Sequence, residues 1–192
     1  MKNPVQPAQD REFEARDFAG QVLPVREFAR CRFKACLFAR TDCTGVLFSD
    51  CVFESCDFSG AILKNCRLRG AEFNSCKFMG VDFTPVNTML LSWKFTSCKL
   101  GFCNFSELRI KGTLFKNCIL RDTDFIKTDL KDSSFSATDL KATVFRGADL
   151  RKADFSGAFN YYLNPAENLV DKAVFSMPEA AVLLDPFGIK LV

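Results

Sequence analysis

The sequence predicts an all-β solenoid, and three observations lead there. Phe or Leu stands at nearly every fifth position, from Phe13, Phe18, Leu23, Phe28, Phe33 and Phe38 to Leu130, Phe135, Leu140, Leu150 and Phe155. The position two before the centre is nearly always small: Cys31, Cys36, Cys51, Ala61, Thr113, Thr123, Thr138, Ala148, Ala153. The remaining three positions are mostly polar or small. Neither a helix (period 3.6) nor an ordinary strand (period 2) asks for a period of five. A short fixed repeat is one supersecondary unit stacked on copies of itself. The large and small residues of each unit face inward, and the other three face water.

The elements follow in order. Residues 1–10, with Pro4 and Pro7, read as an extended lead-in. Residues 11–157 carry the repeat. Up to Phe83 the centres fall at positions ending in 3 or 8; from Leu90 they end in 0 or 5, so two extra residues lie between Phe83 and Leu90. From Phe115 to Phe155, Phe and Leu alternate strictly, as volume matching across a narrow core requires. Burying a Phe stabilises by roughly 1.5–3 kcal/mol, which makes the 22 Phe the main stabilising element.

Nine of the ten cysteines take the small inward position: Cys31, Cys36, Cys51, Cys56, Cys66, Cys76, Cys98, Cys103 and Cys118; Cys43 replaces a centre. Cysteines stacked at about the 4.8 Å strand spacing are too far apart for an unstrained disulfide. The expectation is a set of free, buried, apolar fillers in a reducing compartment.

The chain contains no His, so Ser-His-Asp and Cys-His mechanisms are excluded. It has no phosphate-binding glycine loop. Carboxylate pairs such as Asp122 with Asp124 sit where the repeat places solvated residues. The reading is a protein that is not an enzyme, with no metal and no cofactor.

Residues 84–94 (TPVNTMLLSWK) interrupt the pattern. Trp93 falls in a small-residue slot and must either distort the coil or turn outward. Two readings stand side by side: a bulge with a locally packed aromatic, or a partner-binding loop of Pro85, Val86, Asn87, Met89 and Trp93. After Phe155 the pattern stops. Residues 158–192 read as a cap: Ser176 and Glu179 form a capping box with Pro178 in the first turn, predicting a short helix to about Leu184. Asp185, Pro186 and Gly188 end it, and Ile189–Val192 can add an extended strip. Met177, Val182, Leu183, Leu184, Phe187 and Ile189 form an apolar surface able to pair two rods end to end.

The units at 123–132 (TDFIKTDLKD), 138–142 (TDLKA) and 148–157 (ADLRKADFSG) resemble the pentapeptide-repeat family. That resemblance covers residues 11–157 and implies a right-handed quadrilateral β-helix with four units per coil, here a little over seven coils. The tail, at Phe175-Ser-Met-Pro-Glu-Ala-Ala and Gly188-Ile-Lys-Leu, is similar to one subgroup, the topoisomerase-poison immunity proteins. These comprise the quinolone-resistance, albicidin-immunity and microcin-immunity proteins. The subgroup implies a homodimer joined through this tail, DNA gyrase or topoisomerase IV as partner, antibiotic resistance, and a rod imitating duplex DNA. An alternative reading is a scaffold or regulatory binder of an unrelated protein.

Charge sets a limit on mimicry. The chain carries 26 basic and 23 acidic residues, net +3, which argues against direct nucleic-acid binding and gives no phosphate-like face. Arg69, Lys111, Lys131 and Arg151 follow centres of one face and are expected to form a basic ladder. No apolar run is long enough to span a bilayer and no signal peptide is evident, so a cytoplasmic protein is expected.

Overall fold

The computed structural model describes residues 6–190. It is a parallel β-solenoid of about eight turns with one short helix. Strands of two to four residues pair only with the strand one coil away, always parallel. The first face stacks Glu12–Glu14, Arg32–Lys34, Val52–Glu54, Ala71–Asn74, Trp93–Thr96 and Leu114–Lys116 in one six-stranded sheet. The second pairs Lys77–Met79, Lys99–Gly101 and Ile119–Arg121. The third is held by single bridges such as Asp42↔Ile62 and Asn104↔Asp124. The fourth pairs Ala8–Gln9, Glu27–Ala29, Leu47–Ser49 and Arg67–Arg69.

The corners lie two residues after each centre, where the chain turns with positive φ. Arg30 (φ 51), Ala35 (φ 51) and Gly60 (φ 64) are examples. A non-glycine residue there costs roughly 1–2 kcal/mol. The turn is offset by the bond it allows: Arg30 N–H donates to Ser49 C=O at 2.8 Å and Ala35 N–H to Glu54 C=O at 2.8 Å, both in the next coil.

Inside, the rings stack in register. Phe13, Phe33, Phe53, Phe73, Phe95, Phe115, Phe135, Phe155 and Phe175 form one column, with centroids 4.8–5.3 Å apart and planes within 17° of parallel. Columns on different faces meet edge to face, as Phe115 and Phe125 do at 5.7 Å and 74°. Both geometries suit the ring quadrupole. In the later coils the two Phe columns come from opposite faces and buried Leu120, Leu130, Leu140 and Leu150 complete the square.

The cysteines are free and buried, and they do more than fill space. All of the nine inward ones except Cys66 place Sγ against a main-chain carbonyl one coil below, for example Cys76 to Phe53 C=O at 3.4 Å and Cys98 to Phe73 C=O at 3.3 Å. Thr128 and Thr138 donate from the same slot to Phe105 and Phe115 at 3.0 and 2.8 Å. The slot wants a small side chain that is also a donor, which Cys, Thr and Ser share.

The two extra residues lie later than the change of phase among the centres suggests. Arg67 still bridges Asn87, twenty residues on, whereas Ala71 pairs with Trp93. The slip therefore falls between Asn87 and Trp93. Leu90, expected as a centre, is 68% exposed at φ 59, and Thr88, which follows Asn87 at the centre position, is exposed as well. This coil lacks an inward centre on its fourth face. Trp93 takes up the space: it neither distorts the coil nor turns outward, but is buried with its ring 5.4–5.9 Å from Phe83, Phe95 and Phe105. Its Nε1–H donates to Thr113 Oγ1 at 3.0 Å.

Pairing also runs beyond the recognisable repeat at both ends. Ala8 is buried and pairs with Phe28, and Asp154–Phe155 pairs with Val174–Phe175. The C-terminal helix is a 3-10 helix, Glu179–Phe187, starting after Ser176 and including Asp185 and Pro186. The capping box does not form, because Ser176 Oγ accepts the N–H of Gly157 at 3.0 Å and closes the last coil instead. Gly188 ends the helix at φ 67, its N–H bonded to Asp185 C=O. Ile189 and Lys190 have no regular structure; Leu191 and Val192 of the expected strip lie outside the described residues.

Two predictions follow from this packing. Trp93→Ala is expected to cost about 3–5 kcal/mol by chemical denaturation, the range for large core truncations, while Ala at exposed Met89 should stay within about 0.5 kcal/mol of the parent. Burial pushes the Cys43, Cys51 and Cys103 thiols up to about 12 from 9.0. Folding therefore favours the neutral thiol, a contribution complete below about pH 9 and lost as pH rises towards the folded values. The unfolding midpoint should fall between pH 9 and 11, and iodoacetamide should label all ten thiols only after unfolding. Fewer than ten free thiols in unreduced protein would contradict this account.

Candidate functional site

The interior is closed by stacked rings, so the surface carries what this protein does. It departs from a regular ladder in two places: the slip at residues 84–93 and the C-terminal end.

At the slip the coil separates from the next one along a single face. Elsewhere on the fourth face each coil is tied to its neighbour, as by Asp129 N–H to Leu108 C=O and Ile110 N–H to Asp129 C=O, both 2.9 Å. No backbone hydrogen bond joins residues 85–92 to residues 106–113. The equivalent bonds, Arg109 N–H to Val86 C=O and Thr88 N–H to Arg109 C=O, are not made. One cause is Pro85. At the same corner Asn65, Glu107 and Lys127 each donate an N–H upward, and proline has none to give. The other is the two-residue slip, which carries Met89 and Leu90 outward.

The result is a seam. A cleft of about 270 Å³ opens at one side, lined by Leu91, Ser92, Trp93, Arg109, Lys111 and Thr113 among others. A second hollow on the other side is lined by Thr84, Val86, Thr88, Ser106, Glu107 and Leu108 among others.

The structure divides the expected loop. Pro85 and Met89 are exposed and Asn87 is half-buried. Val86 (6% exposed) and Trp93 (5%) are core residues, so an incoming partner does not meet them as a protruding loop. Asn87 Oδ1 accepts the Met89 N–H at 2.9 Å and fixes the turn.

The basic ladder is in register only in part. Lys111, Lys131 and Arg151 stand one coil apart, joined by Gly112 N–H to Lys131 C=O and Asp132 N–H to Arg151 C=O. Arg69 is separated from them by Met89, which takes the corresponding position at the slip. Lys111 lies 3.3 Å from Asp129, and Arg151 binds Asp149 with both nitrogens, at 2.8 and 2.6 Å. The Arg151 guanidinium holds the Asp149 carboxyl below the usual carboxylate range. Sequence reasoning passed over Arg67 and Arg109, which precede centres and so resemble ordinary solvated positions. With Arg69 they have no carboxylate within 4.0 Å among the described residues.

At the C-terminal end no residue of the 3-10 helix is buried. Val182, Leu183 and Leu184 are half-buried, while Met177 (74%), Phe187 (56%) and Ile189 (49%) are exposed. Tyr162, Leu169 and Val174 are exposed on the flanks of the last coil. Exposed apolar area of this kind marks interaction sites in soluble proteins. Among the described residues no cluster of Cys, Asp or Glu could hold a metal ion, and no helix is long and apolar enough to cross a membrane.

Comparison with solved structures places the fold among known ones. Two structures of trypsin-treated forms of QnrB1, a plasmid-mediated fluoroquinolone resistance protein, match at 18% and 21% identity with TM-scores of 0.65 and 0.59. The matches cover 97% of this chain in both cases, and 97% and 92% of the other. HetL, a pentapeptide repeat protein involved in heterocyst differentiation regulation from the cyanobacterium Nostoc sp. strain PCC 7120, matches at 16% identity and a TM-score of 0.47, over 88% of this chain and 85% of its own. No curated protein matches the sequence. The family model described as a pentapeptide repeat region matches residues 26–105 and 90–159. Spacing, coil geometry and this match agree, and the chain belongs to the pentapeptide-repeat family.

Proposed function

We propose that this protein is a non-enzymatic binder of a type II topoisomerase, DNA gyrase or topoisomerase IV, and that it protects the enzyme from a poison. The observation that carries the reading is the end-to-end likeness in fold to the fluoroquinolone resistance protein QnrB1, which spans nearly the whole of both chains and includes the C-terminal cap. The apolar end supports a homodimer of two rods joined through the 3-10 helix, doubling the length of rod a partner can contact. Any imitation of duplex DNA rests on the shape of the rod: the chain is net positive, and carboxylates along it are often paired, as in Glu14–Lys34 and Glu72–Lys94.

A second reading, a regulatory or scaffolding binder of another protein, is favoured by the absence of an acidic face. Both readings place the protein in the cytoplasm.

Supercoiling and cleavage assays with purified gyrase separate the two. Micromolar protein is expected to reduce quinolone-stimulated cleavage; no binding, no inhibition and no protection would remove the topoisomerase reading. For assembly, light scattering should show a dimer that the pair Leu183→Asp and Phe187→Asp converts to monomers. A monomeric parent protein would refute the end-to-end dimer.

A further inference from the structure

The seam between residues 85–92 and 106–113 combines four features found together nowhere else on the described surface. Its edges carry main-chain groups without backbone partners, including the N–H groups of Thr88 and Arg109. An unpaired strand edge is a template for another extended chain. Clefts open on both sides of the face, one lined by Leu91 and Trp93, the other by Val86 and Leu108. Met89 and Leu90 form an apolar lip, each 68% exposed. Arg67 and Arg69 lie below the lip and Arg109 above it, none paired with a carboxylate, and Arg69 Nε is buried without an acceptor.

We propose that this seam is a docking slot for an extended, acidic polypeptide segment that carries a large apolar side chain. Main-chain bonds along the open edge set its direction, the apolar side chain packs on Met89, Leu90 and the cleft by Trp93, and flanking carboxylates meet the free arginines. Charge complementarity sets the sign of the occupant: Arg67, Arg69 and Arg109 border the seam without carboxylate partners among the described residues, against the single carboxylate of Glu107 in the hollow on its other side, and the nearest acids in the corner column of Leu90 are Asp50 and Asp132, two coils away on either side. A polypeptide fits better than a nucleic acid on two grounds. An apolar lip gains nothing against a sugar-phosphate backbone, and the cations that would extend a phosphate track upward are shared with Asp129 and Asp149. The proposal stands apart from the topoisomerase reading and can be tested without that enzyme.

Trp93 is the only tryptophan and lines the cleft, so its fluorescence reports occupancy. The probe is a capped octapeptide with acidic ends around an apolar core, EDLVFLDE, titrated into the full-length protein. A saturable change with a Kd below about 1 mM is expected. It should weaken at least tenfold for Arg109→Glu and for Leu90→Asp, both surface changes whose folding is checked by thermal unfolding. A peptide with the same charges but a Ser-Gly core should bind at least tenfold more weakly. No saturable response, equal binding of the Ser-Gly peptide, unchanged binding by both variants, or tighter binding of a 20-base-pair duplex would each overturn the proposal.

Discussion

Every structural property of this rod depends on one constraint: each coil must lie on the next in register. The nine-ring column from Phe13 to Phe175 records it, since rings about 5 Å apart and nearly parallel require backbones stacked at the strand spacing. The same registration brings most corner N–H groups to the carbonyl above and most inward Cys and Thr side chains to the carbonyl below. Ring packing, main-chain bonds and side-chain bonds therefore support one another. None can be satisfied at a given coil unless the neighbouring coil has the same dimensions, which is why solenoid stability is a matter of neighbour interfaces.

That interdependence explains how an irregularity stays local. Two extra residues at the slip do not shift the rest of the rod, because the pairs Ala71↔Trp93 and Lys94↔Leu114 restore registration on the adjoining face. The cost is confined to the fourth face, where the coils lose their backbone bonds and one inward centre. Trp93 limits that cost. Its indole takes the volume of both the small slot and the missing centre, and its single N–H finds Thr113. The core is thus continuous while the surface above it is open.

Much of this was legible in the sequence. A five-residue period cannot be anything but a stacked unit, and it fixed the inward and outward positions, including all of the inward cysteines. Two classes of feature were not legible. Terminal coils after Phe155 keep the backbone path while abandoning the side-chain grammar: Phe159, Leu169 and Phe175 still pair twenty residues down, but Asn160 and Pro165 occupy centre positions. Main-chain bonds, unlike core volume, leave little trace in residue identity. The direction of Trp93 was also hidden, because its slot is small in every other coil; only the simultaneous loss of the facing centre makes room. The candidate arginines were missed for a related reason. Arg67 and Arg109 look like ordinary solvated residues until the fold sets them on either side of the seam with no carboxylate within 4.0 Å among the described residues.

The two irregular places differ in kind, and this bears on how the rod can act. The C-terminal end is an apolar cap on which Met177, Phe187 and Ile189 stand exposed, a surface suited to a copy of itself under two-fold symmetry. The seam is directional, with a lower and an upper edge, main-chain groups on both and arginines without partners. A two-fold copy of this chain would present like charge to like charge there, an arrangement that opposes self-association. The two proposals are therefore compatible: self-contact at the end leaves the flank open to a foreign segment. In a dimer joined at the caps, the two seams would lie on separate rods, leaving each free to meet a segment of one extended partner, and linked engagement of that kind gains affinity without new contacts.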